Sequence, residues 1–167
     1  MGSYQEAINN PTRPADILAT REYRFKYGFG LNLEQEIIKN VGLFSRLGWS
    51  DGQHEAWTLA DVDRTATLGL SIKGGPWRCP NDTFGLAGVL SGISRIGQQF
   101  FQAGGTGILA GDGDLNYGWE KVLETYYDVQ VCKTIHATLD FQFVSNPAYN
   151  RDRGPVSILG ARLHWEF

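Results

Sequence analysis

Ten ionisable residues, Arg24, Lys26, Arg46, Glu124, Asp128, His136, Asp140, Arg162, His164 and Glu166, sit at alternate positions within otherwise apolar stretches. Spacing by two puts them on one face of extended chain, and their signs are mixed. Such a row presents exchangeable hydrogen-bond donors and acceptors to a passing solute; it does not gather an acid, a base and a nucleophile around one reacting atom. The stretch Asp112-Gly113-Asp114-Leu115-Asn116 opens like a calcium loop, but Tyr117 stands where the loop needs glycine and Leu123 where it needs glutamate, so no metal site is expected. His54, His136 and His164 are dispersed, Cys79 and Cys132 form no CxxC pair, and no nucleophile elbow surrounds any serine. Neither an enzyme nor a cofactor is expected.

The elements carrying these residues are strands. From Glu22 onward Tyr23, Phe25, Tyr27, Phe29, Leu31 and Leu33 alternate with Arg24, Lys26, Gly28, Gly30, Asn32 and Glu34. The alternation returns in residues 41–50, 65–73, 122–133 and 135–143, and in a last run from Leu159 to Phe167. A further run, residues 83–92, has an unsettled facing, because Phe84, Leu86 and Leu90 compete with Val89 on the opposite parity. Most runs approach the roughly 9 to 11 residues of a tilted membrane-crossing strand rather than the 5 to 6 common in soluble sheets. Aromatic residues cluster near the ends of the apolar parity, at Tyr23, Trp49, Trp165 and Phe167, as in an interfacial girdle.

Composition is consistent with this reading. The 167 residues, 42% hydrophobic and 20% charged, suffice for one domain. A net charge of -3 and scattered Lys and Arg argue against a nucleic-acid partner. No apolar run reaches the 18 or so residues of a membrane helix, a test that says nothing against a β-barrel. Met1-Gly2-Ser3 does not begin a basic-then-apolar leader, so no export address is expected in the chain as given. The links alternate short and long: 37–40, 51–63, 74–82, 93–121, the pair Lys133-Thr134, and 146–155. That alternation matches short periplasmic turns and longer extracellular loops, with the first strand descending and the last ending at the periplasm. The expected fold is all-β, an antiparallel up-and-down barrel of outer-membrane type with seven or eight strands in this chain. Residues 1–20 form an N-terminal loop or extension and residues 21–167 the barrel segment.

Five segments resemble one family: residues 27–36 (YGFGLNLEQE), 42–49 (GLFSRLGW), 86–89 (LAGV), 123–127 (LETYY) and 146–156 (NPAYNRDRGPV). Together they resemble the C-terminal part of the carbohydrate-selective porins of the OprB type, in order from Tyr23 to Phe167. The resemblance implies a sixteen-stranded, usually monomeric outer-membrane barrel that lets glucose and other small sugars diffuse passively. This chain would supply part of that wall; a smaller closed barrel is the alternative. In a lumen, the ten charged residues would offer sugar hydroxyls weak, exchangeable contacts. Otherwise they simply pair across strands, at about 0.2–1 kcal/mol per pair. Expected partners are small sugars, outer-membrane lipid, and a complementary N-terminal porin segment or a second copy. Leu163, Trp165 and Phe167 resemble the terminal signal read by the barrel-assembly machinery. A reading from another class is a soluble or self-associated β-barrel fragment that binds a small ligand without transport.

Overall fold

A computed structural model describes residues 1–10, 14–56 and 61–166. Among them, seven antiparallel strands pair strictly in chain order: β1 (Gly28–Ile38), β2 (Val41–Ser50), β3 (Arg64–Lys73), β4 (Thr83–Gly92), β5 (Glu120–Cys132), β6 (Ile135–Ser145) and β7 (Val156–Trp165). Each strand has 10 to 13 residues. β1 and β7 do not pair with each other, so the sheet is an open wall with two free edges.

The register keeps one parity together across the whole wall. A single row runs Leu43↔Leu70, Leu70↔Leu86, Leu86↔Thr125, Thr125↔Phe141 and Phe141↔Leu159. A one-residue slip at any ladder would move a strand's apolar set to the other face. The register also settles the ambiguous strand: Phe84, Leu86 and Leu90 of β4 join the apolar face, and Val89 faces the polar side opposite Thr67 and Val122. The apolar face is bare: Leu139, Leu159 and Leu163 are 70%, 84% and 72% exposed. A two-residue hairpin at Lys39 and Asn40 joins β1 to β2, with Asn40 in the left-handed region (φ 72°) that Asn tolerates.

The expectation that the first strand begins at Glu22 is corrected. Pairing starts at Gly28, opposite Ser50, where β2 ends. One further bond, from the Asp51 N–H to the Tyr27 carbonyl at 3.1 Å, lies beyond that pair, and residues 22–26 have no ladder partner. Side chains hold this segment instead. Arg24 donates to Glu6 at 2.6 Å, and Lys26 donates to Asp63 at 3.3 Å and to the His54 carbonyl at 3.1 Å.

The buried core lies outside the wall, at the end carrying the long links. Helix α1 (Tyr4–Asn9) packs on helix α2 (Arg95–Gln102), and Tyr4, Ala7, Ile17, Ile93, Phe100 and Leu115 are among the buried residues of this cap. The N-terminal extension thus carries a helix, which the alternation of the strands could not signal. Ser94 caps α2: its hydroxyl accepts from the Gly97 N–H at 3.0 Å and donates to the Gly52 carbonyl at 2.6 Å. Asp63 fastens cap to wall, accepting from the Ser94 N–H at 2.8 Å, the Ser50 hydroxyl at 3.0 Å and Lys26. The calcium-like stretch is used structurally. Asp112 accepts from Asn150 at 2.9 Å and pairs with Arg153, while Asn116 donates to Asp152 at 2.9 Å, so residues 146–156 clasp the long link.

Truncating Phe100, only 1% exposed, removes a ring from the cap core without touching a ladder. Phe100→Ala should cost the cap about 3–5 kcal/mol. Amide exchange should show loss of protection in α1 and α2, with strand amides still protected. The cap also depends on pH. The Arg21 guanidinium beside Glu55, bonded at 2.7 and 2.8 Å, holds the Glu55 carboxyl below the usual carboxylate range. This stabilisation is present above about pH 4.3, the ordinary glutamate value, and is lost as pH falls through the lower folded value. Asp61, whose carboxyl is pushed up by burial, acts in the opposite sense. Near-UV circular dichroism between pH 6 and 3 should therefore show a cap transition that is weaker in Arg21→Gln.

Candidate functional site: the polar face of the wall

Opposite the apolar face, the same strands form a trough of about 850 Å³ along β3 to β7. Alternation places its side chains, since a strand that points its odd residues to one side must point its even residues to the other. Glu124, Asp128, His136, Asp140, Arg162, His164 and Glu166 all line it, with Lys73, Thr138 and Gln142. Arg46 lies on the same face in an adjoining groove, ion-paired with Glu34 at 3.7 Å. Arg24 and Lys26 lie apart from both, at the cap, in the pairs described above.

Within the trough the charges form a short network. Asp128 receives His136 Nδ1 at 2.8 Å and the Thr138 hydroxyl at 2.7 Å, while Gln130 Nε2 approaches His136 Nε2 at 3.4 Å. The imidazole thus lies between the Asp128 carboxylate, at Nδ1, and the Gln130 amide, at Nε2. Arg162 reaches the Thr138 hydroxyl at 3.5 Å, and His164 Nε2 lies 3.1 Å from Glu166. Glu124 interacts with Asp140, so two carboxylates lie side by side. The network fixes side chains along a wall and leaves hydrogen-bonding capacity facing the trough. Cys79 and Cys132 are free and exposed.

Two residues of this face escape the alternation argument because they are aromatic at polar positions. Phe44 extends from β2 over Gly69 of β3, and Tyr126 extends from β5 over Gly85 of β4; neither glycine leaves room for even a methyl group beneath the ring. The Arg46 guanidinium stands 5.7 Å from the centre of the Phe44 ring. The signal in the sequence was the pairing of each ring with a glycine on the next strand, visible only once the register is known.

At the chain's end, Leu163 and Trp165 project from the apolar face of β7, opposite Ala137 and Ile135. The third residue of that proposed signal, Phe167, lies outside the described residues.

The structure is similar to that of OprB from Pseudomonas putida, with a TM-score of 0.71 at 18% sequence identity, over 85% of this chain and 36% of that one. The chain therefore spans about a third of the length of the solved porin it matches, and at this identity the likeness is one of fold. No curated protein sequence matches it. The family model described as carbohydrate-selective porin, OprB family, matches residues 1–167. With strand order, face partition and family match all in agreement, the chain belongs to the OprB family of carbohydrate-selective porins, a family of outer-membrane channels and not of enzymes.

Proposed function

We propose that this chain forms part of the wall of an outer-membrane pore through which small neutral carbohydrates, glucose-type sugars among them, diffuse passively. The observation that carries the reading is the division of seven strands, in one register, into a bare, mainly apolar face and an opposite face that holds the charged, hydrogen-bonding trough. Lipid meets the first and solute the second. Weak contacts from Glu124, Asp128, His136, Asp140, Arg162, His164, Glu166 and Arg46 suit a solute that must also leave, whereas Arg24 and Lys26 act at the cap end of the pore. The long links and the cap face the outside of the cell, and the short turns face the periplasm.

The two free edges need strands to pair with in a membrane. A complementary porin segment supplies them; pairing with a second copy of the chain is the other way to meet the same need. Leu163, Trp165 and Phe167 present the terminal strand to the barrel-assembly machinery.

The purified 167-residue chain, refolded in detergent and added to planar bilayers, should give channels whose current falls as glucose is added. A discrete detergent-free particle without conductance would instead mean a ligand-binding fragment. Across the trough and its adjoining groove, the carboxylates Glu34, Glu36, Glu124, Asp128, Asp140 and Glu166 outnumber Arg46, Lys73 and Arg162. The channels should accordingly prefer cations, and Asp140→Asn should move the reversal potential toward zero. On the opposite face, Leu139→Arg should cost about 2–4 kcal/mol of folding in lipid, read as a shift in the urea unfolding midpoint in vesicles, while Gln142→Arg on the trough should not.

A further inference from the structure

Phe44 and Tyr126 stand on strands separated by two others, and their rings extend toward each other over β3 and β4. The strands between them are cleared to small residues on this face, with Gly69 and Gly85 under the rings and Ser71 and Ala87 between. Both rings, with Ser71, Arg46 and Glu34, line one groove of about 430 Å³. That volume lies within the roughly 300–1,000 Å³ typical of small-ligand sites. Both rings are only partly buried, so each keeps surface toward the groove.

We infer that this groove is a stacking subsite for a pyranose ring, with Phe44 and Tyr126 taking its C–H face and the Arg46–Glu34 pair taking its hydroxyls. The inference rests on the proposed passage of sugars and adds where, and by which chemistry, they pause. An aromatic face carries the negative end of a quadrupole, and the C–H bonds of a sugar ring present weakly positive hydrogens to it. Arg46 supplies N–H donors beside the Phe44 ring, and Glu34, 3.7 Å from it, supplies acceptors, so donors and acceptors border the apolar platform. Rings that served only to cover bare glycines would need no flanking ion pair and would show no preference among polyols. A stacking subsite must distinguish a rigid pyranose from an open-chain polyol with the same hydroxyls but no fixed C–H face.

The test uses the 167-residue chain refolded in detergent, with saturation-transfer NMR of methyl glucoside and of sorbitol, alongside bilayer conductance. Methyl glucoside should receive saturation chiefly at its ring C–H positions and sorbitol little. Phe44→Leu and Tyr126→Leu should each weaken glucoside binding about three- to tenfold, and Phe44→Trp should retain it. Phe141→Leu, on the lipid side, controls for loss of an aromatic as such. Circular dichroism confirms that each variant folds. Equal transfer to sorbitol, unchanged binding in the leucine variants, or no glucoside binding at all would overturn the subsite. Channels that pass sugar with no dependence on Phe44 or Tyr126 would overturn the subsite and leave the pore standing. Glucoside binding that depends on both rings without any conductance would establish the subsite and refute the pore.

Discussion

In hydrocarbon there is no water to satisfy a backbone N–H or C=O, so every strand of a membrane wall must be hydrogen-bonded along its length by its neighbours. This requirement fixes the rest of the architecture. It demands long strands in unbroken ladders, and β1 to β7 supply six consecutive antiparallel pairings with irregularities only near two turns, at Glu36/Ile38 and Gln130/Cys132. It also forces a single register across the sheet, because the period of two divides lipid-facing from water-facing side chains at every strand simultaneously. The row from Leu43 to Leu159 is the visible result. The same requirement makes the free edges of β1 and β7 the places where a membrane wall needs further strands to pair with.

The remaining stability comes from a different source. Neither face of the wall buries a hydrophobic core; that role falls to the cap, where Phe100 and Phe101 are each 1% exposed and the Tyr4 ring lies tilted against them, centroids 5.0 and 6.2 Å away. Water-driven burial holds the cap, and ladder hydrogen bonds hold the wall. Asp63 joins the two, receiving hydrogen bonds from the strand end at Ser50, the helix cap at Ser94 and the extended segment at Lys26. A buried carboxylate with three donors suits a junction, since losing it would strand several buried donors together.

The strands were legible in the sequence because alternation is a local signal, and β2, β3, β5 and β6 fall where it runs. β1 was read too long for an equally local reason: Tyr23 and Phe25 keep the alternation, but pairing depends on where β2 ends, and residues 22–26 outrun it. The parity of β4 could not be read from its own residues and is fixed by Leu70 and Tyr127 on either side. The helices of the cap were invisible to a period-two reading, and their packing partners are distant in sequence. Of the trough, the charged members were foreseeable from parity. Phe44 and Tyr126 were not, because an aromatic at a polar position looks like noise in the pattern until its cross-strand glycine is known.

Those glycines bear on why the polar face is so rich in small residues. Gly42 has open space above it, whereas Gly69 and Gly85 are covered by rings from the next strand. A face that were merely polar would gain from longer side chains at all three positions, since Gly weakens a strand. Small residues are used where something must pass or lie close to the backbone. At Gly69 and Gly85 that something is an aromatic ring belonging to the wall itself, which lowers the rings against the sheet and keeps space in the trough. The cost in strand propensity is met by ring contact with the neighbouring strand, and the polar face gains an apolar floor while its trough stays open.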